Sequence, residues 1–193
     1  MSIEATLFSP VDITGQKISF ASPQAQDLSN YWFQLARDIN RPPTRASFDP
    51  IAIPHLLPSV VLLERLDAGG YQIRLQGTAF RERGLVDRTG EILNREDAEP
   101  SRLAFYQAVD KVLDTPCGLR LIAVEQNYEG KQTLVEIVSY PLTDRNNIAR
   151  FTIFIIVPLK MIGYADGQPR KYALTEIREV TEISLDLRDR VQA

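Results

Sequence analysis

Two segments of the chain carry apolar residues at the spacing of an α-helix. The first begins with Ser22, a capping residue, and Pro23, which suits the first helical position. Its apolar stripe comprises Leu28, Tyr31, Trp32, Leu35 and Ile39. Two prolines at 42 and 43 end it, so the pattern predicts a helix over 23–39. The second predicted helix spans 100–114, between Pro100 and the Thr115–Pro116 stop.

Strand-like periodicity marks the rest of the core. A first pair of strands, 60–66 and 71–80, flanks the glycine-containing turn 67–70. Three more follow the second helix at hairpin spacing, namely 119–128, 133–142 and 148–159. The segment 81–100 has weak periodicity and is expected to hold loops and short helical turns. The fold class is therefore α+β, with a five-stranded antiparallel sheet, helices on one face, and the N-terminal amphipathic helix flanking it.

Alternation within the strands indicates how the sheet is covered. In 71–77, Tyr71, Ile73 and Leu75 are expected on one apolar face, opposite Arg74. In 151–157, by contrast, both faces are apolar, so both must be covered. The helix 100–114 can cover one face, and either the helix 23–39 or a second copy of the protein can cover the other. This requirement predicts a homodimer, with Leu28, Trp32 and Leu35 as its candidate interface.

The length of 193 residues suits one domain with extensions. Residues 1–22 are expected to form a flexible or loosely docked arm, 23–160 the domain with its N-terminal helix 23–39, and 161–193 a C-terminal extension. The extension contains apolar residues that fit neither period cleanly, so helix and strand both stay open for 172–187.

Composition excludes several classes of function. The net charge is −3 and no basic block of five or more residues occurs, which disfavours nucleic acid as a partner. The longest apolar run, 151–159, is far shorter than the ~20 residues that a membrane-spanning helix needs. The first residues lack the pattern of a secretory signal, and the single cysteine excludes an internal disulfide, so a cytoplasmic location is expected.

Together with the strand order, a set of local motifs resembles the PAS fold, and more closely the bacterial PAS-like family often called the fifth PAS class. The motifs are Leu28 with Tyr31–Trp32, then Pro43, Arg45, Phe48–Asp49–Pro50, Leu56–Leu57–Pro58, Arg74–Leu75–Gln76–Gly77–Thr78, Gly84 and Thr89–Gly90. The resemblance covers about 25–160. It implies a short, single-domain sensory or signalling module that binds a small molecule or docks another protein, and it leaves the cofactor unknown.

Classical catalytic and metal chemistry has little support. His55 is the only histidine, and no nucleophilic Ser or Cys motif accompanies it. Cys117 follows a helix C-terminus, which does not activate a thiol, and it lies at a strand entrance, unsuited to flavin adduct chemistry. Haem would need His55, which precedes the sheet, or a less common ligand. With one His and one Cys, a metal would need a cage of carboxylates, and no calcium-loop spacing occurs.

The candidate ligand pocket consists of polar-tipped residues on apolar elements, namely Arg74, Tyr106, Tyr128 and Tyr140. Of these, Arg74 would suit an anionic ligand. Gly77, within a predicted strand, indicates either a bend or a close backbone approach.

These patterns favour a non-enzymatic sensory module that acts in trans on a signalling partner. One alternative is a small cavity-forming enzyme, an isomerase or hydratase, with Glu125 or Glu136 as a buried base. Both glutamates alternate with apolar neighbours on strands, so exposure on the outer face of the sheet is the simpler expectation. Another alternative is a protein-interaction adaptor with a filled core.

Overall fold

The computed structural model describes residues 8–37, 41–94, 100–165, 172–186 and 191–192. Its helices are α1, Pro23–Ala36; α2, Ala79–Glu82; and α3, Pro100–Asp114. Its strands are β1, Phe8–Ser9; β2, Val60–Arg65; β3, Tyr71–Gln76; β4, Ile92–Leu93; β5, Gly118–Gln126; β6, Lys131–Thr143; β7, Ala149–Tyr164; β8, Ala173–Ile183; and β9, Val191–Gln192. Short 3₁₀ turns lie at Arg45–Ser47, Pro50–Ala52 and Leu57–Ser59.

Both predicted long helices are present. The Ser22 hydroxyl caps α1 by accepting a hydrogen bond from the Ala25 N–H at 3.3 Å. Helix α1 ends at Ala36, and the remaining positions of the prediction, 38–40, lie outside the described residues. Helix α3 has the predicted bounds.

Seven strands form one antiparallel sheet in the order β4-β3-β2-β7-β6-β5-β8. The five inner members are the predicted ones, and the sheet gains one strand at each edge. The extension that fitted neither period is the strand β8, which runs along β5 from Ala173 to Ile183. Strands β1 and β9 form a separate pair.

A β-bulge changes the predicted faces of β3. Leu62 pairs with Leu75 and Leu63 with Ile73, which leaves Arg74 as the extra residue. Leu75 therefore packs on the same side as α1, and the expectation that it shares a face with Tyr71 and Ile73 is wrong.

Each face of the sheet has its own hydrophobic core. The inner core lies between the sheet and α3, and the outer core lies between the sheet and α1. In β7, Phe154 and Ile156 belong to the inner core while Ile153 and Ile155 belong to the outer core. The chain's own α1 thus covers the outer face, which is one of the two coverings that the sequence left open.

The first described residues also lie against the body of the domain. Val11 and Ile18 are buried, and the Ser184 N–H donates to the Val11 carbonyl at 2.9 Å. Residues 11–22, predicted as part of a flexible or loosely docked arm, contain these packed positions.

Candidate functional site

A cavity of about 140 Å³ lies between α3 and the inner face of the sheet. Its wall is mainly aliphatic and aromatic, because the inward residues of β2, β3, β5, β6 and β7 are those that alternation makes apolar. The wall includes Val61, Ile73, Phe80, Leu85, Phe105, Val109, Leu121, Ile137, Phe154 and Ile156. Val86, Tyr128 and Ile177 also line it and are exposed, so they mark its mouth.

A few polar groups stand on this apolar wall. The bulge at Arg74 turns Gln76 inward, where its amide donates to the Val86 carbonyl at 2.8 Å. Ser139 exchanges a hydrogen bond with Thr152 at 2.8 Å. The Tyr106 hydroxyl donates to the Asn94 carbonyl at 3.2 Å. The cavity is thus apolar with few polar groups, the usual composition of a small-molecule site.

A buried ion pair lies beside the cavity, on the same face of β5. Glu125 follows Ala123 inward along that strand, and its Oε2 accepts from Nη1 of Arg83 at 3.0 Å. The side chains are 4% and 17% exposed. The Arg83 guanidinium lies 4.7 Å from the centre of the Phe80 ring, which itself lines the cavity. The pair therefore adjoins the apolar site.

Burial dominates the electrostatics of this pair. It raises the pKa of Glu125, against the opposing charge of Arg83 and a weaker contribution from the Tyr172 hydroxyl. The pKa of Tyr172 is likewise raised well above its ordinary value, first by burial and then by the charge of Glu125. Within the part of the chain that the structure describes, Oε1 of Glu125 and Nε and Nη2 of Arg83 have no partner of normal hydrogen-bond geometry.

A second, polar pocket of about 250 Å³ opens at this ion pair. Its wall includes Arg83, Glu125, Asn127, Lys131, Thr133 and Lys160. Because three of these side chains are cationic and one is a carboxylate, the net charge of the pocket is positive. Loops hold its rim in place, since Asn127 accepts from the Glu129 and Lys131 N–H groups and donates to the Arg83 carbonyl at 3.2 Å.

The structure brings two of the four candidate pocket residues to the cavity. Tyr106 and Tyr128 line it. Tyr140 lies on the opposite face in the outer core, where its hydroxyl donates to Ser29 at 2.7 Å. Arg74 is an exposed bulge residue that pairs with Glu64. Neither of these last two residues lines the cavity.

The candidate interface residues of α1 are mostly enclosed within the chain. Leu28 and Trp32 are 0% and 1% exposed, whereas Leu35 is half-buried. The Trp32 indole stacks on Tyr140 at 5.1 Å and donates to the Pro141 carbonyl at 2.8 Å. A second chain would reach Leu28 or Trp32 only if α1 left the sheet.

Glu136, the other acid weighed as a catalytic base, lies on the outer face and is 0% exposed. Its two oxygens accept from the Ala21 N–H, the Ser22 N–H and hydroxyl, and Nε of Arg120, at 2.7–2.9 Å. The expectation that Glu125 and Glu136 are exposed on the outer face is wrong: Glu125 points inward, and the chain entering α1 covers Glu136. Glu136 is fully engaged by these donors, which suits a structural role.

The single histidine and single cysteine lie apart from both pockets. His55 is exposed and contacts Asp27 at 3.1 Å. Burial, with the charge of Glu182, raises the pKa of Cys117 to about 11, which keeps its thiol protonated. Among the described residues, no group of three or more His, Cys, Asp or Glu side chains is placed to hold a metal ion.

Several lining residues lie where the sequence indicated something else or little. Phe80 was expected at the end of the strand 71–80, but β3 ends at Gln76 and Phe80 belongs to α2. Arg83 and Leu85 lie just after α2, in the segment expected to hold loops and short turns. Tyr172 lies in the extension whose conformation stayed open.

Comparison with known proteins fits this architecture. The family model PAS_5, described as a PAS domain, matches residues 20–155. No curated protein matches the chain. In the described part of the chain, every helix is too short or too polar to cross a membrane. The matched region contains α1, the five inner strands up to the middle of β7, and α3, and on this basis the chain belongs to the PAS domain family.

Proposed function

We propose that this PAS domain is a sensory module that holds a small, largely apolar molecule between α3 and the sheet. The observation that carries the proposal is the apolar cavity of about 140 Å³, with its few polar groups and its mouth at Val86, Tyr128 and Ile177. Such a composition is typical of small-molecule sites in proteins. A ligand there would touch inward residues of β2, β3, β5, β6 and β7 and of α3 at once.

The size of the cavity limits the ligand. An engineered apolar cavity of ~150 Å³ stays dry and binds benzene, and the present cavity has nearly that volume. A ligand whose apolar part is about the size of one aromatic ring therefore fits this cavity. A haem or a flavin is far larger than this space.

The homodimer and the signalling partner in trans are further parts of the proposal, as is the cytoplasmic location. With α1 on the sheet, a dimer needs a surface other than Leu28 and Trp32. Met161, Ile162 and Tyr164, at the end of β7, are 46%, 40% and 63% exposed and offer apolar area for such a contact. Sedimentation at high micromolar concentration tests this part, and a clean monomer would contradict it.

The alternatives have weaker support. An adaptor with a filled core does not account for the apolar cavity. An isomerase or hydratase requires a buried acid with a raised pKa, a condition that Glu125 meets, but Arg83 occupies one of its oxygens. Membership of the PAS domain family favours the sensory function.

Native mass spectrometry of protein purified from its own host tests ligand binding. The expected result is a species heavier than the 21.8 kDa chain by a small molecule that is lost on denaturation. Ala108→Leu, which adds side-chain volume at the cavity wall, should abolish this extra mass. Gln107→Leu, on the exposed side of the same helix, is the matched control and should retain it. An equal amount of bound molecule in both variants, each with a native circular dichroism spectrum, would place the ligand elsewhere.

A further inference from the structure

The Arg83–Glu125 pair has unfilled hydrogen-bonding capacity that the fold does not explain. Nη1 of Arg83 donates to Glu125, whereas Nε and Nη2 have no partner within the described residues. Each buried donor or acceptor without a partner costs free energy, so such groups normally meet a water, an ion or a ligand. The Glu125 side chain is only 4% exposed, so this is not a solvated surface pair.

The unpartnered atoms of Arg83 form a specific shape. Nε and Nη2 are the two donors on one edge of the planar guanidinium, and they point in nearly the same direction. This edge matches the two oxygens of a carboxylate, to which it donates two parallel hydrogen bonds. The guanidinium also lies over the Phe80 ring, 4.7 Å from its centre, and this cation–π contact favours one position of the side chain.

The surroundings favour an anion over a cation or a neutral group. Lys131 and Lys160 line the same polar pocket, and in the described part of the chain neither of them makes an ion pair. Their two positive charges, with Arg83, outnumber the single negative charge of Glu125. Glu125 offsets one of these positive charges, and a ligand carboxylate would offset another.

The two pockets adjoin at Arg83. Arg83 lines the polar pocket, and its guanidinium covers the ring of Phe80, which lines the apolar cavity. Tyr172 also lines the apolar cavity and interacts electrostatically with Glu125. A molecule with an apolar body in the cavity can therefore place a polar end group at this pair.

We infer that the ligand is a small amphipathic carboxylate, whose apolar body occupies the cavity and whose carboxylate receives two hydrogen bonds from the Nε–Nη2 edge of Arg83. This inference rests on the proposed function and adds the chemical class of the ligand. Lys131 and Lys160 supply the favourable positive potential at the same end, and Glu125 holds the other side of the guanidinium in place.

Three probes with the same ring and similar arms test the inference, namely phenylacetate, 2-phenylethanol and 2-phenylethylamine. Titration calorimetry of the purified chain with each probe gives the dissociation constants. Phenylacetate is expected to bind at least about tenfold more tightly than 2-phenylethanol, because hydrogen bonds to a charged group are worth more than neutral ones. The amine is expected to bind most weakly.

Variants then assign the preference to Arg83. Arg83→Met keeps apolar contact with Phe80 and should remove the preference for phenylacetate without changing the affinity for 2-phenylethanol. Arg81→Met, at an exposed arginine of α2 two residues before Arg83, is the matched control and should leave the preference intact. If Arg83→Met does not fold, Glu125→Gln serves instead: loss of the opposing charge should tighten phenylacetate binding several-fold and leave the alcohol unchanged.

The outcomes separate the two proposals. Equal affinity for phenylacetate and 2-phenylethanol in the wild-type chain would overturn the carboxylate inference and leave the apolar site in place. A preference that survives Arg83→Met would also overturn it. If none of the three probes binds, the carboxylate inference fails together with the apolar site of this size.

Discussion

Replacement of Glu136 by glutamine tests whether a buried ion pair fastens α1 to the sheet. Glu136 is 0% exposed, and its oxygens accept hydrogen bonds from the Ala21 N–H at 2.9 Å, the Ser22 N–H at 2.8 Å, the Ser22 hydroxyl at 2.7 Å and Arg120 Nε at 2.7 Å. A glutamine amide has one acceptor oxygen, and its NH₂ group would face donors. It also leaves the buried Arg120 without its main countercharge.

The expected cost is large. Breaking a buried pair by removing one partner typically costs about 3–5 kcal/mol, against a total stability of about 5–15 kcal/mol for a typical domain. With a urea dependence of about 2 kcal/mol per molar, the unfolding midpoint should fall by about 2 M. Arg120 also supplies a matched control, because its Nη1 donates to Glu179 at 3.1 Å and Glu179 is 61% exposed. Glu179→Gln should cost no more than about 1 kcal/mol.

The assay has a built-in local reporter. Trp32 is the only tryptophan, and it lies on α1, stacked on Tyr140 of the sheet. Urea unfolding followed by Trp32 fluorescence reports undocking of α1, while far-ultraviolet circular dichroism reports the whole fold. The two transitions should coincide in the wild type. A Glu136→Gln variant as stable as Glu179→Gln, within about 0.5 kcal/mol, would refute the role assigned to this ion pair.

Three further expectations concern single residues. Gly77→Ala should destabilise the fold by about 1–3 kcal/mol in urea unfolding, because the new Cβ would lie 2.2 Å from the Pro58 carbonyl oxygen and 2.3 Å from that of Leu57; an effect as small as that of Thr78→Ala would argue against this close approach. The pKa of Cys117, about 11, leaves about one thiolate in ten thousand at pH 7, so a disulfide reagent should modify the native chain at least about a hundredfold more slowly than the urea-unfolded chain, and equal rates would contradict its burial. Burial raises the pKa of Glu125 in the folded state, so its contribution to stability is present below the unfolded value of 4.5 and is lost as pH rises through the folded pKa. The unfolding free energy of the wild type minus that of Glu125→Gln should therefore decrease as pH rises over that range. An increase would show that attraction to Arg83 outweighs burial.

Much of the sheet could be predicted because its alternation is strong. In β7, apolar residues on both faces required two coverings, and the structure supplies them with α3 and α1. The limit appears in β3, where one bulge residue, Arg74, shifts every later side chain to the other face. Nothing in the alternation of 71–76 marks that bulge, so Gln76 was not expected inside the cavity.

The buried glutamates show why the site was harder to predict than the sheet. A charged residue that alternates with apolar neighbours usually faces water. Glu125 and Glu136 do not, because each meets an arginine from a distant part of the sequence, Arg83 and Arg120 respectively. The partners are 42 residues apart in the first pair and 16 in the second, so no local period of the sequence indicates these contacts.

The arrangement of the two cores indicates how a ligand in the cavity would affect the position of α1 on the opposite face of the sheet. In β2, Val61 and Leu63 belong to the inner core while Leu62, between them, belongs to the outer core that holds α1. The same alternation holds in β7. Because packed interiors transmit small displacements, a ligand that moves the inward side chains must also move the strand backbones that support Trp32. The physical requirement for signalling is that α1 has two positions whose balance the ligand changes, and differential affinity of the ligand for the two would supply that change. Trp32 fluorescence on addition of phenylacetate measures it directly: an altered spectrum without loss of circular dichroism would identify α1 as the moving element, and an unchanged spectrum at saturation would exclude it.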